Sequence, residues 1–136
     1  MKPHIDCVML IDDEHFDQKL YRRVIARSGI VGKVISYSYA DEALEYLKSP
    51  EREVIDIIFL DINMPRMNGF EFLEAATRDL GAQFARMVVV MLTTSLERSD
   101  HDRAKGYAVV KRFINKPLTG AHLLELAELL HPEKIG

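Results

Sequence analysis

The sequence has few of the features that mark secreted, membrane or nucleic-acid-binding proteins. It contains one cysteine, Cys7, so no disulfide can form within the chain. No apolar run approaches the ~18 residues that a membrane-spanning helix needs, and Asp6 comes before any signal-peptide hydrophobic region could form. A net charge of −3 gives no support for a nucleic-acid-binding face. We therefore expect a cytoplasmic protein whose partners are neither nucleic acids nor membranes.

The composition is that of an ordinary globular domain. The 136 residues are 48% hydrophobic and 29% charged, which excludes an intrinsically disordered chain and is enough for one core. Repeats, low-complexity segments and linkers rich in Pro, Gly or Ser are absent from the sequence. We therefore predict a single domain over residues 1–136, without an output domain. If this domain is a regulator, its output lies on another chain.

Short apolar runs alternate with segments of helical periodicity along the chain. The runs predict strands at residues 7–11, 34–39, 55–60, 87–92 and 109–114. The segments after them predict five helices at residues 15–28, 41–48, 69–80, 97–105 and 119–130. Strands that alternate with helices are typical of βαβ units and of a parallel sheet.

The texture of the apolar runs predicts the order of the strands. The first, third and fourth runs are almost unbroken, as in strands that are buried on both faces. The second run alternates with serine, and the fifth carries Lys111 and Arg112, as edge strands do. An α/β, doubly wound, five-stranded parallel sheet of order 2-1-3-4-5 places the strands in this way. Such a sheet binds its ligands at the carboxyl ends of the strands.

Local residue types predict several helix boundaries. Asp41 and Thr119 are good N-cap residues for the second and last helices. Gly29 and Gly81 are placed to end the first and third helices.

Acidic residues follow two of the predicted strands. The first strand ends in Asp12, Asp13 and Glu14, and the third ends in Asp61, so the topology brings these carboxylates together. Two carboxylates ~4 Å apart repel by about 1 kcal/mol in water and by ~4 kcal/mol at an effective dielectric constant of 20. A cluster of oxygen ligands suits Mg2+. The alternative is that Asp12 or Asp13 caps the first helix, but the second acidic strand end favours the metal site.

Hydroxyl and basic groups follow the other two strands. Thr93 begins a Thr-Thr-Ser segment after the fourth strand, and Lys116 precedes Pro117 after the fifth. Alone, such hydroxyls usually cap the next helix and a lysine is usually solvated. Together with the three aspartates, however, they suit phosphoryl transfer to a carboxylate, because a metal and a lysine neutralise the phosphoryl oxygens.

Four motifs in this order resemble the receiver domain of two-component response regulators, of the single-domain CheY-like type. They lie at residues 10–14, 60–69, 91–94 and 113–117, so the resemblance spans almost the whole chain. It implies that Asp61 accepts a phosphoryl group from a sensor histidine kinase or a phosphotransfer protein. It also implies that Asp13 and Asp61 ligate Mg2+, that Asp12 orients a bound water, and that the main-chain carbonyl of Asn63 completes the protein ligands.

The same resemblance implies a switch. Thr93 would hydrogen-bond the phosphoryl group, and Lys116 would pair with Asp61 or its phosphate. Phe113 stands at the family's aromatic switch position, and its pairing with Thr93 would move the surface formed by the fourth predicted helix, the fifth strand and the fifth helix. An edge-strand aromatic that only packs in the core is an equal alternative for Phe113. The downstream partner is not specified, and catalysis is limited to the protein's own phosphorylation and dephosphorylation.

Three other functions share parts of the pattern. A flavodoxin-like cofactor binder needs a phosphate loop after the first strand, where the acidic residues here repel phosphate. A haloacid-dehalogenase-type phosphatase carries its nucleophile at the end of the first strand, whereas Asp61 ends the third. A phosphorylation-independent pseudo-receiver that acts as a docking module is the stronger alternative, although the presence of every expected site residue argues against it.

Overall fold

A parallel sheet forms the centre of the structure, a computed structural model that describes residues 4–132. Its five strands lie in the order β2-β1-β3-β4-β5, which confirms the predicted topology. The strands are β1 (Ile5–Ile11), β2 (Val31–Tyr37), β3 (Ile57–Leu60), β4 (Val88–Thr93) and β5 (Val110–Asn115). The helices are α1 (His15–Ser28), α2 (Ala40–Lys48), α3 (Gly69–Leu80), α4 (Ala82–Ala85), α5 (Arg98–Lys105) and α6 (Gly120–Leu130).

Hydrophobic cores cover both faces of the sheet. In β1, Met9 and Ile11 pack with α2 and α3 on one face, whereas Val8 and Leu10 pack with α1 and α6 on the other. All four residues of β3 are fully buried. This double burial is why the central strands read as continuous apolar runs. At one edge of the sheet, β5 exposes Lys111 and Arg112, as expected of an edge strand.

Two details of the helices differ from the prediction. Within residues 4–132 the structure has six helices instead of five, because the single turn α4 follows α3. This turn buries Phe84, whose ring packs edge-on against Phe72 with centroids 6.1 Å apart. The predicted cap at Asp41 is wrong: α2 begins at Ala40 with Tyr39 at the N-cap position. The carboxylate of Asp41 pairs instead with Arg66.

The three other predicted cap residues are confirmed. Thr119 accepts a hydrogen bond from the backbone N–H of His122 and so caps α6. Gly29 ends α1 with a positive φ of 69°, a conformation that glycine adopts without a steric penalty. Gly81 ends α3.

Polar groups hold the amino-terminal edge of the sheet. Asp56 precedes β3 and accepts a hydrogen bond of 3.1 Å from the backbone N–H of Cys7 in β1. Arg52 donates to the carbonyl of Leu47 at the end of α2 and to the side chain of Gln83 in α4. The candidate site lies at the opposite, carboxyl-terminal end of the strands. Among the described residues, no helix is both long and apolar enough to cross a membrane.

Candidate functional site

Three aspartates meet where β1 and β3 end. Ile11 of β1 is paired with Leu60 of β3, so the next residues, Asp12 and Asp61, emerge side by side. Carboxylate oxygens of Asp12, Asp13 and Asp61 all lie within 4.8 Å of one another. The fourth acidic residue of the sequence pattern, Glu14, is instead exposed at the N-cap position of α1.

Hydrogen bonds to the backbone fix the two buried carboxylates. Asp12 Oδ1 accepts from the N–H of Glu14 at 2.9 Å, and Asp61 Oδ1 accepts from the N–H of Ile62 at 2.8 Å. The side-chain amide of Gln18 donates to the carbonyls of Asp12 and Tyr37, and thereby ties α1 to the ends of β1 and β2. The carboxylates are therefore held in place by the chain around them.

Burial makes the negative charge of these groups costly. Asp12 is 1% exposed and Asp61 is 8% exposed. Burial raises the pKa of Asp61 to about 6, with Lys116 opposing the shift and Asp12 adding to it. The pKa of Asp12 is also raised, again mainly by burial. Because the donors are carboxylate oxygens and their charge is incompletely balanced, the cluster fits a hard divalent cation such as Mg2+.

Lys116 reaches this cluster from the end of β5. Its ammonium donates to Asp12 Oδ2 and to Asp17 Oδ2, each at 2.8 Å, and lies 3.6 Å from Asp61 Oδ2. Burial disfavours its charge, but the hydrogen bonds that it donates to Asp12 and Asp17 outweigh that effect and raise the pKa of Lys116 above its usual range. The lysine therefore lies beside Asp61 but donates its hydrogen bonds to Asp12 and Asp17.

Asp17 is a site residue that the sequence analysis missed. It lies in the first turn of α1, four residues before Tyr21, which is 1% exposed. Residues four apart share a helix face, so extending the buried face formed by Tyr21 and Ile25 back by one turn leads to Asp17. Otherwise, an aspartate in the first turn of a helix is explained by its favourable interaction with the helix dipole alone.

Thr93 is placed at the end of β4, next to β5. The residue is fully buried, and its hydroxyl oxygen accepts a hydrogen bond of 3.1 Å from the N–H of Ser95. Its carbonyl accepts from the N–H of Lys116 at 2.8 Å, which brings the ends of β4 and β5 together. Helix α5 begins later, with Glu97 at its N-cap position, so Thr93 does not cap this helix.

Phe113 lies in β5, opposite Met91 of β4. Its half-buried ring packs against the imidazole of His101 in α5, with centroids 3.6 Å apart and planes inclined at 31°. The aromatic residue that the sequence proposed as a switch is therefore covered by α5, the helix that follows the site.

The loop after β3 carries the exposed residue Asn63 and ends where Gly69 starts α3. The N–H of Gly69 donates to the carbonyl of Ile62 at 2.8 Å. A Cβ at position 69 would overlap the carbonyl oxygen of Asp61 and lie 3.0 Å from Ile62 Cα. Glycine is therefore required here for α3 to begin directly against the backbone of Asp61.

The family of the protein follows from its sequence. Residues 8–128 match the model of the response regulator receiver domain. The chain belongs to this family. A curated relative of the receiver is the probable methanogenesis regulatory protein FilR2 of Methanothrix harundinacea, which is 29% identical over 133 residues, 95% of this chain and 83% of FilR2.

Other similar proteins support the same family and fold. The sensor histidine kinase CheAY of Helicobacter pylori is 27% identical over 85% of this chain, which spans only 14% of that kinase. A two-component response regulator from Cytophaga hutchinsonii has a solved structure that is 27% identical, with a TM-score of 0.84. The superposition covers 95% of this receiver and 98% of that chain.

Proposed function

We propose that this receiver domain is a phosphoacceptor switch, in which Asp61 takes a phosphoryl group from a sensor histidine kinase or a phosphotransfer protein. The observation that carries the proposal is the position of Asp61. Its carboxylate is nearly buried, lies within 4.8 Å of two further aspartates and is 3.6 Å from the ammonium of Lys116. A nucleophilic carboxylate beside groups that hold positive charge is what phosphoryl transfer requires.

The transfer step makes one bond and breaks another. A carboxylate oxygen of Asp61 attacks the phosphorus of a phosphohistidine, and the phosphorus–nitrogen bond breaks. The electron pair leaves with the imidazole nitrogen, which takes a proton from solvent. The product is an acyl phosphate on Asp61. Lys116 and the hydroxyl of Thr93 would donate hydrogen bonds to its phosphoryl oxygens.

The aspartates would also hold a divalent cation. Asp13 and Asp61 would bind Mg2+ directly, Asp12 would orient a water on it, and the main-chain carbonyl of Asn63 would add a further oxygen. When bound, the ion supplies positive charge that offsets the carboxylates and the phosphoryl oxygens. The oxygen-only donor set, in which Asp12 and Asp61 are buried, supports this assignment.

The output of the switch would be a change at the surface formed by α5, β5 and α6. This surface contains Phe113, and the exposed cations Lys105, Lys111 and Arg112 lie on it. Phosphorylation would couple to it through Thr93 and Phe113 and alter the affinity for a downstream protein. A protein that works with a kinase in this way would act in the cytoplasm.

Intact-mass measurement with acetyl phosphate as a small phosphodonor tests the proposal. The wild-type protein should gain the mass of one phosphoryl group when Mg2+ is present and not when it is chelated. Asp61→Asn should abolish the gain, whereas Asp102→Asn, an exposed position on α5, should preserve it. Equal phosphorylation of Asp61→Asn would contradict the assignment. A wild-type protein that gains no mass under any condition would support the pseudo-receiver.

A further inference from the structure

Lys116 makes its hydrogen bonds away from the proposed phosphoacceptor. Its ammonium is 2.8 Å from both Asp12 Oδ2 and Asp17 Oδ2, but 3.6 Å from Asp61 Oδ2. The first two distances are those of hydrogen bonds and the third is not. The cation that would contact a phosphoryl group is therefore drawn towards α1.

The surroundings make this pairing strong. The side chain of Lys116 is 9% exposed and that of Asp17 is 23% exposed, so solvent screens their attraction only in part. Hydrogen bonds between two charged groups are shorter and roughly twice as strong as neutral ones. Helix α1 also presents the ring of Tyr21, whose centroid is 5.9 Å from the ammonium. One face of α1 thus presents a carboxylate and an aromatic ring to the ammonium of Lys116.

A phosphoryl group on Asp61 would compete with this arrangement. The group is anionic, so it attracts the ammonium of Lys116 and is repelled by the carboxylate of Asp17. The ammonium has three N–H donors, and Asp12 and Asp17 accept from two of them. A second hydrogen bond to the phosphoryl oxygens would therefore take a donor from Asp12 or Asp17. Asp12 is almost completely buried and belongs to the cluster of three aspartates, whereas Asp17 lies in α1, outside that cluster.

Building on the phosphoryl transfer proposed for Asp61, we propose that Asp17 is a positioning residue that holds Lys116 back from Asp61 and thereby weakens binding of the phosphoryl group. The residue makes the unphosphorylated state the resting state by giving the lysine an alternative partner. It acts through Lys116 and does not itself contact the phosphoryl group.

The affinity for trifluoroberyllate, a phosphoryl mimic, tests this role when measured by calorimetry in the presence of Mg2+. Asp17→Asn keeps the shape of the side chain and removes its charge, and should tighten binding about three- to tenfold. Glu14→Gln removes the same charge from an exposed position on the same helix end and is the matched control. Its effect should be less than half as large, because the ammonium of Lys116 donates to Asp17 and not to Glu14.

A double-mutant cycle separates positioning from a general change in charge. In a Lys116→Met background, which has lost the ammonium, Asp17→Asn should change the affinity no more than Glu14→Gln does. The proposal is overturned if Asp17→Asn binds no more tightly than Glu14→Gln, or if its gain persists without the ammonium. A wild-type protein that binds no trifluoroberyllate overturns the proposed function, and this inference with it. Urea unfolding of each variant confirms that the compared proteins are folded.

Discussion

The imidazole of His101 covers the ring of Phe113, with the two ring centroids 3.6 Å apart. This contact joins α5 to the edge strand β5, next to the end of β4 that carries Thr93. A motion of Phe113 towards Thr93 would therefore alter its contact with α5. The stacking gives a measurable link between the proposed switch and the helix beside it.

We expect His101→Ala to lower the free energy of unfolding by about 0.5 to 1.5 kcal/mol, the value of an aromatic pair beyond its buried area. Urea unfolding followed by circular dichroism measures the change. His15→Ala is the control, because His15 is also in a helix but its side chain is exposed. Equal stability of the two variants would show that the stacking contributes nothing.

The burial of Asp61 predicts a pH dependence of stability in the metal-free protein. Its pKa in the folded state is about 6, above the ~4 of an unfolded chain. The folded state therefore binds this proton more tightly, and the resulting stabilisation is complete below pH ~4 and is lost as the pH rises through about 6. Asp61→Asn has no such loss of stability. The difference in free energy of unfolding, Asp61→Asn minus wild type, should therefore be roughly 1 to 3 kcal/mol larger at pH 7.5 than at pH 4.5.

Urea titrations with a chelator, at several pH values, measure the difference between wild type and Asp61→Asn. The free energy of unfolding of Asp61→Asn minus that of the wild type should rise from about pH 4 to about pH 6 and stay constant above pH 6. A difference that stays constant with pH would contradict the raised pKa of Asp61.

The contact between Gly69 and the Asp61 carbonyl predicts a sharp response to one methyl group. Gly69→Ala places a Cβ against backbone that cannot move freely, so the free energy of unfolding should fall by about 1 to 3 kcal/mol. Phosphorylation by acetyl phosphate should also slow, because relief of the overlap displaces Asp61. Gly120→Ala is the control, since a Cβ there points into open space and alanine favours the helix. If the two variants match in stability and rate, the close approach at Gly69 has no energetic consequence.

Arg66 has a left-handed backbone conformation, and its side chain joins the loop after β3 to the start of α2. Its φ is 71°, its guanidinium lies 4.2 Å from the centroid of the Tyr39 ring, and it pairs with Asp41. Arg66→Ala and Arg66→Gly both lose these contacts, but only glycine relieves the backbone. Arg66→Gly should therefore be the more stable of the two by about 1 kcal/mol in thermal and urea unfolding. A more stable alanine variant would show that the left-handed conformation carries no cost.

Much of the fold and site could be predicted because burial leaves a pattern in the sequence. The four apolar residues of β3 are fully buried, and such a strand has to be central. Once the strand order follows, the polar residues after each strand are brought together by topology. The cluster of Asp12, Asp13 and Asp61 follows from that argument.

The rest depended on contacts between residues far apart in the chain. The pair of Asp17 and Lys116 joins residues separated by 99 positions, and its geometry depends on how α1 packs against the sheet. Asp41 has the residue type of a cap, but the guanidinium of Arg66, 25 positions away, provides a charged partner. A single turn such as α4 is too short to show helical periodicity, and Phe84 is its one buried residue.

The amino-terminal ends of the strands are a suitable place to attach a label or a tether to this receiver. Asp56 joins β1 to β3 there, at the opposite end of the strands from Asp61. Val54 is 76% exposed at this edge, and the chain's one cysteine, Cys7, is buried. A cysteine introduced at Val54 would therefore be the accessible thiol for a dye or a surface tether. Immobilised in that way, the domain would present the carboxyl-terminal ends of its strands to the solution.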